Sequence, residues 1–354
     1  MDKPDCFTPA RLWEPCPPAG ADQSATVRCR LCRRYCRLTP GQLGGCGVRG
    51  NFSGALYTAV GGYLAAVNLD PVEKKPLFHF LPGSLAFSVG SLGCNLHCEF
   101  CQNSGISQLS GACRQNPALI KPGSRADAHG IVKAALKSGA ASIAYTYNEP
   151  TVFFELMQDT AGLALERGLR NIMVSNAYMS GECFSALDGL IQAANFDLKS
   201  FSPEFYRTRC KAELAPVLEN IKAAVKSGWW VEVTTLIIGG LNDGPAELDA
   251  LAGFIANELG PEVPWHVSRF HPAYLMRDRP ATPVECIELA LECGQKHGLR
   301  HIYAGNLPGH ASESTLCPAC SAVTLARHGY RTKALGEAQG RCPSCGQAVA
   351  GVWE

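Results

Sequence analysis

The sequence predicts an α/β fold, a partial (β/α)6 barrel with a small cysteine-rich segment before it and a module of paired cysteine knuckles after it. Three observations carry that expectation. From residue 84 onward, short apolar runs alternate with longer helical segments, as βα units do. Cysteines fall in tight groups, and the groups at the two ends sit in stretches too short to build a core of their own.

Composition sets the outer limits. With 46% hydrophobic and 18% charged residues, the 354-residue chain has ample apolar content for a core and length for two or three domains. A net charge of +1 argues against generic polyanion binding and so against nucleic acid as a partner; the one dense basic run, Arg28 to Arg37, is interleaved with cysteines. No apolar run approaches the roughly 20 residues that span a bilayer, and MDKPDCFTPA lacks the marks of a signal peptide, so no membrane contact and a cytoplasmic location are expected. Eighteen cysteines in CxxC-type groups then read as metal ligands in a reducing compartment.

In chain order, residues 1–26 are Pro-, Ala- and polar-rich without periodicity, and a poorly ordered lead-in is expected, with Cys6 and Cys16 unassigned. Cys29, Cys32, Cys36 and Cys46 follow among arginines and glycines. Four thiolates in so short a segment call for a metal staple, zinc or a second iron–sulfur cluster, with a structural zinc site favoured. From Asn51 to Pro82, three prolines punctuate a connector of short strands, and Glu73, Lys74 and Lys75 read as a solvated charge cluster.

The core opens with Ser84 to Val89, a β-rich run that leads into Gly93-Cys-Asn-Leu-His-Cys-Glu-Phe-Cys-Gln-Asn103. Cys94, Cys98 and Cys101 can grip one metal centre. A [4Fe-4S] cluster normally takes four thiolates, so three leave one iron open to a substrate or cofactor. This C-x3-C-x2-C loop, with Phe100 before its last cysteine, resembles the signature of the radical S-adenosylmethionine (SAM) enzymes. The resemblance implies that the open iron chelates SAM, that Phe100 flanks its adenine, and that the barrel is of the radical SAM type. Together with Asp70-Pro-Val-Glu-Lys-Lys-Pro-Leu-Phe-His-Phe80, the loop resembles a narrower group, the AmmeMemoRadiSam-system enzymes, related to the activating enzymes of pyruvate formate-lyase.

Helices are expected near 126–138, 151–167, 180–193, 214–227, 245–259 and 282–297, between strands at 142–147, 171–175, 196–198, 229–238 and 265–270. In β/α barrels the chemistry gathers at the C-terminal ends of the strands. After 142–147 come Tyr147, Asn148, Glu149 and Pro150, where radical SAM enzymes carry Gly-Gly-Glu-Pro. The resemblance makes Glu149 the ligand of the SAM amino group, with Asn148 beside it; the reading from the residue alone is an acidic helix-start position. Ser175 and Asn176 suit ribose or carboxylate hydrogen bonds. Lys199, in Asp197-Leu-Lys199, resembles the lysine that approaches the SAM carboxylate, and the alternative is an ion pair with Asp197. His271 resembles the histidine that meets the SAM ribose.

Beyond Ala311, Cys317-x2-Cys320 and Cys342-x2-Cys345 read as a four-cysteine zinc ribbon. Cys113, Cys183, Cys210, Cys286 and Cys293 are isolated and expected to be buried small hydrophobes, with a redox role conceivable only for Cys210. The expected domains are therefore 1–82, 83–310 and 311–354. The resemblance implies reductive cleavage of SAM and abstraction of hydrogen from an unidentified substrate, with a reductant protein such as flavodoxin or ferredoxin, and association with AMMECR1-like and Memo-like proteins. Its alternative is an activating enzyme that makes a glycyl radical on a partner protein. A reading of another class makes the chain a metal-stabilised binding module without catalysis.

Overall fold

The computed structural model describes residues 3–17, 25–335 and 340–354. They fall into two compact units, residues 1–69 with 86–192 and residues 70–85 with 193–354.

In the first unit, the strand Ser142–Tyr145 lies between Leu85–Gly90 and Arg170–Ser175 and runs parallel to both, with Ile143 opposite Phe87 and Asn171. All four of its residues are buried, as a central parallel strand covered on both faces requires. The helix Ala128–Lys137 buries Ile131, Val132 and Ala135 at helical spacing, and Asp127 caps its start by accepting from Gly130 N at 2.8 Å. The helix expected over 180–193 is shorter. Gly181–Leu187 ends at Asp188, and Gly189 takes a φ of 73°, a left-handed conformation suited to a glycine that stops a helix.

The lead-in holds two strands where it is described, which corrects the expectation of disorder; residues 1, 2 and 18–24 lie outside the described residues. Thr8–Pro9 pairs antiparallel with Ala55–Thr58, and Trp13–Pro15 with Val27–Cys29. The reason is an apolar anchor that periodicity does not register: buried Phe7 packs edge-on against Phe52 with ring centroids 4.9 Å apart.

In the second unit, Ala193–Asp197, Trp230–Ile237, Trp265–Arg269 and Ile302–Gly305 run parallel in that order. The last of these is absent from the expected set. Helices Ala215–Lys226, Pro245–Phe254 and Val284–Lys296 alternate with the strands. Thr315–Leu316, Val323–His328 and Arg331–Ala334 form a separate antiparallel sheet near the C-terminus. Among the described residues no helix is long and apolar enough to cross a membrane.

Within Asp70 to Phe80, Glu73, Lys74 and Lys75 do not form the solvated charge cluster expected of them. Lys75 and Glu73 are buried: Lys75 Nζ donates to Asp70 Oδ2 at 2.6 Å, and Glu73 Oε1 accepts from Gly83 N at 2.7 Å. Only Lys74 keeps the expected exposure, with its ammonium on Asp70. The segment ends at His79, whose Nδ1 lies 2.6 Å from Ala350 O and whose Nε2 lies 2.6 Å from the Tyr303 hydroxyl. A carbonyl can only accept, so Nδ1 carries the proton and Nε2 accepts from Tyr303. Buried Glu232 accepts from Phe78 N, His79 N and Trp230 Nε1 and pairs with His266 at 2.6 Å.

This network makes stability depend on pH. Burial pushes His79 down to about 3 and His301 down to about 4, whereas an unfolded histidine titrates near 6.5. Between those values the unfolded chain binds protons that the folded chain refuses, so stability falls as pH falls below 6.5. Glu232 opposes burial with its bonds to His266 and the nearby amides and sits at about 2, so its stabilising contribution is lost only below the ordinary carboxylate range. Each histidine is expected to cost about 2 kcal/mol at pH 5 relative to pH 7. Urea unfolding at the two pH values measures this; an unchanged midpoint would contradict it.

Candidate functional site

Three neighbouring parallel strands deliver the candidate residues from their C-terminal ends. Leu85–Gly90 leads into the cysteine loop, Ser142–Tyr145 into Asn148 and Glu149, and Arg170–Ser175 ends on Ser175 with Asn176 next. Parallel neighbours end on one edge, so the sheet itself gathers these side chains.

The cysteine loop is fixed by Asn148. Its Nδ2 donates to Gly93 O at 2.7 Å and to Ser91 Oγ at 3.1 Å, and its Oδ1 accepts from Ser91 N. Cys98 and Phe100 are buried, Cys94 and Cys101 half-buried. Cys94 Sγ accepts from Leu96 N at 3.4 Å and from Asn176 Nδ2 at 3.8 Å, and Cys101 Sγ lies 3.1 Å from Ser107 Oγ. Burial and the Glu149 carboxylate hold the Cys94 thiol well above its ordinary range, so a thiolate there needs a cation beside it. Three thiols on one hydrogen-bonded loop are a donor set that a soft metal centre fits.

Glu149 is buried at the start of the helical turn Pro150–Phe153 and is bonded through both oxygens. Oε1 accepts from Thr151 N at 3.1 Å, from the Thr151 hydroxyl and from Ser175 Oγ at 2.9 Å; Oε2 accepts from Asn176 N at 2.9 Å. Burial raises its pKa and those four bonds oppose the rise. Asn176 therefore links the carboxylate to Cys94, with its main chain on one and its side chain near the other. The helix-start geometry read from the residue alone is present, and the carboxylate also braces two strand ends.

Tyr147, where radical SAM enzymes have glycine, adopts a φ of 72°, and Ala177, just after Asn176, a φ of 56°. Left-handed backbone in residues with a Cβ costs about 1–3 kcal/mol and persists only where the surroundings impose it. At Tyr147 they do so through Asn103 Nδ2, which donates to its carbonyl at 2.6 Å, and Asn68 Nδ2, which donates to its hydroxyl at 2.9 Å.

Glu149→Gln tests the brace. Glutamine keeps one acceptor and turns an NH2 toward a site built of donors, leaving at least one buried donor without a partner. The expected cost is about 1–3 kcal/mol of stability, read from the urea midpoint, and no loss would contradict the bonding described.

Sequence reasoning placed Cys94, Cys98, Cys101, Phe100, Asn148, Glu149, Ser175 and Asn176 in what is one unit, and the structure joins Cys94, Asn148, Glu149, Ser175 and Asn176 by direct bonds or by single intermediates. Lys199 and His271 belong to the second unit. Lys199 Nζ donates to Asp197 Oδ2 at 2.9 Å, the ion pair weighed as its alternative, and His271 is exposed. Two contributors were missed. Asn95 is buried and accepts from Asn176 Nδ2 at 2.8 Å, and Thr151 bonds Glu149 twice. Their positions, one inside the cysteine loop and one just past Glu-Pro, are the signal that could have found them.

Near the C-terminus, Cys317 Sγ lies 3.6 Å from Cys345 Sγ and Cys320 Sγ lies 3.5 Å from Cys342 Sγ, with all four sulfurs within 4.8 Å of one another. The cluster fits a metal site. Of the isolated cysteines, Cys183, Cys210 and Cys293 are buried as expected, whereas Cys113 and Cys286 are only half-buried.

The family signature described as the radical SAM superfamily matches residues 88–255. That range contains the three-cysteine loop and Glu149. An uncharacterized protein of Methanocaldococcus jannaschii is 41% identical over 325 residues, which cover 91% of this chain and 95% of that protein. A probable GTP 3',8-cyclase of Aeropyrum pernix is 29% identical over 220 residues, 58% of this chain and 59% of that protein. The crystal structure of a radical SAM methyltransferase from Sphaerobacter thermophilus superposes with a TM-score of 0.48 at 15% identity, covering 88% of this chain and 81% of that one. The matched signature and the cysteine loop inside it define an enzyme domain of the kind that uses an iron–sulfur cluster and SAM. Residues 88–255 belong to the radical SAM superfamily.

Proposed function

We infer that Cys94, Cys98 and Cys101 hold a [4Fe-4S] cluster that leaves one iron to SAM, and that the enzyme abstracts a hydrogen atom from a substrate. The carrying observation is the bonded path from Cys94 through Asn176 to Glu149, which ties the thiol loop to two neighbouring strand ends. When bound, the cluster supplies the electron that splits the SAM sulfonium. The chain's part is placement. Asn148 fixes the loop through Gly93 and Ser91, Glu149 with Ser175 and Asn176 fixes the strand ends, and Phe100 offers an apolar face for adenine. A flavodoxin or ferredoxin is the proposed reductant. The narrower AmmeMemoRadiSam assignment rests on the loop and on Asp70 to Phe80.

The test is anaerobic reconstitution with iron and sulfide, followed by SAM titration. A change in the cluster's electron paramagnetic resonance (EPR) spectrum on adding SAM is expected, and an unchanged spectrum overturns the reading.

For Cys317, Cys320, Cys342 and Cys345 the proposed metal is zinc. A Zn–S bond of about 2.3 Å gives a tetrahedral edge of about 3.8 Å, close to the observed sulfur separations. About one zinc per chain is expected, lost in Cys342→Ala; retained zinc would count against the site.

A further inference from the structure

The four N-terminal cysteines form a second site inside the first unit. Val27–Cys29 pairs with Arg37–Leu38, and Cys29 N donates to Cys36 O at 2.9 Å, which sets those two residues side by side. Cys32 forms a bridge with Met179, and Leu43 with Gly50, which closes the loop that carries Cys46. The four cysteines line one cavity with Arg34 and Arg49. Gly44 borders it, and a Cβ there would stand 3.7 Å from Cys36 Sγ.

Spacing separates this set from the C-terminal one. Among the described residues, the C-terminal quartet is drawn together to within 4.8 Å, as a single tetrahedral ion requires, and the N-terminal quartet is not. Thiols that surround a cavity at wider spacing suit a core of several irons and sulfides. Arg49 adds an independent observation. Its side chain is 1% exposed, and its Nε is buried without a hydrogen-bond partner beside the four cysteines. A fixed guanidinium with a spare donor suits a centre of net negative charge, which four thiolates around an iron–sulfur core would be.

The site also abuts the loop of the first cluster. Gly93, next to Cys94, has a φ of 86°, and a Cβ there would meet Cys46 O at 2.8 Å and the Val48 side chain at the same distance. Arg34 Nε donates to Asn95 O, so the two cysteine segments pack closely at Gly93 and are bonded through an arginine.

We propose that Cys29, Cys32, Cys36 and Cys46 hold a second [4Fe-4S] cluster, packed against residues 93–101, which exchanges single electrons with the cluster held there. One electron enters from a one-electron carrier protein and one leaves to the neighbouring cluster, with no bond made or broken. The electron exchange rests on the reading of Cys94, Cys98 and Cys101 given above; the second cluster does not.

The experiment compares anaerobically reconstituted full-length protein with two variants, Cys94→Ala/Cys98→Ala/Cys101→Ala and Cys29→Ala/Cys32→Ala. The natural chain should bind about eight irons and about eight acid-labile sulfides, and each variant about half of each. Its reduced EPR spectrum should show two interacting paramagnets, resolving to a single cluster in either variant. An unchanged far-ultraviolet circular dichroism spectrum identifies folded samples. Overturning results are a folded triple variant with two zincs and no sulfide, or iron unchanged in folded Cys29→Ala/Cys32→Ala. Two non-interacting signals in the natural chain would overturn the electron exchange. A natural chain with about eight irons and no spectral response to SAM would strike the proposed function and leave the second cluster standing.

Discussion

Cys98→Ala is expected to form no detectable 5'-deoxyadenosine from SAM, a loss of more than about a hundredfold, because it removes one of only three proposed thiolate ligands. Cys98 is the most enclosed of the three, and the loop around it is held from outside by Asn148 on Gly93 and by Gln108 on Leu96 O and on His97. No spare thiol stands in the loop to take its place. The substitution removes a sulfur without touching those hydrogen bonds, so the fold should survive it. The assay is anaerobic, with dithionite as reductant and chromatographic detection of 5'-deoxyadenosine. Cys113→Ala is the control: its cysteine is half-buried outside the loop, its thiol lies on Leu119 O, and the variant should keep activity. Full SAM cleavage in Cys98→Ala would remove the cluster assignment, whatever the fate of the other cysteine groups.

The parts of this molecule that were legible in the sequence are those whose physics is local. The cysteine loop, the Glu149–Pro150 turn and the alternation of strands with helices depend on near neighbours, and they are found near where their spacing put them, except that the helix expected over 180–193 ends at Leu187. The strand Ile302–Gly305 was missed because four residues behind a helix end carry too little pattern, and its place is decided by pairing with Trp265–Arg269. Glu73 and Lys75 look like solvent-facing charges in one dimension. They are buried because Asp70 and the Gly83 amide answer them, and in the sequence nothing distinguishes an answered charge from a free one. Asn95 and Thr151 were overlooked for a related reason, since their value lies in what reaches them from Asn176 and Glu149. Tyr147 shows the converse. Its departure from glycine was visible, but only the structure shows the left-handed backbone kept and the two asparagines that hold it.

Arg49→Met is expected to destabilise the protein by about 3–5 kcal/mol, the usual result of breaking a buried ion pair from one side. Arg49 Nη1 donates to Glu155 Oε1 at 3.0 Å, both side chains are almost wholly shielded, and Nη2 donates to Arg11 O. Glu155 Oε1 also accepts from Arg11 N at 2.7 Å, so the pair anchors the strand-forming lead-in to the helix Phe154–Glu166. Removing the guanidinium leaves a buried carboxylate with a single backbone donor, and Glu155 Oε2 already lacks a partner. Desolvation of that uncompensated charge, more than the lost attraction, sets the size of the effect. The double variant Arg49→Met/Glu155→Leu should therefore recover much of the loss, because it removes the stranded charge and fills the space with apolar volume. The four corners of this cycle, measured by urea unfolding at pH 7, give the coupling directly. Additive costs would show that the two side chains act separately and that the lead-in is held by Phe7 and its strand pairing alone.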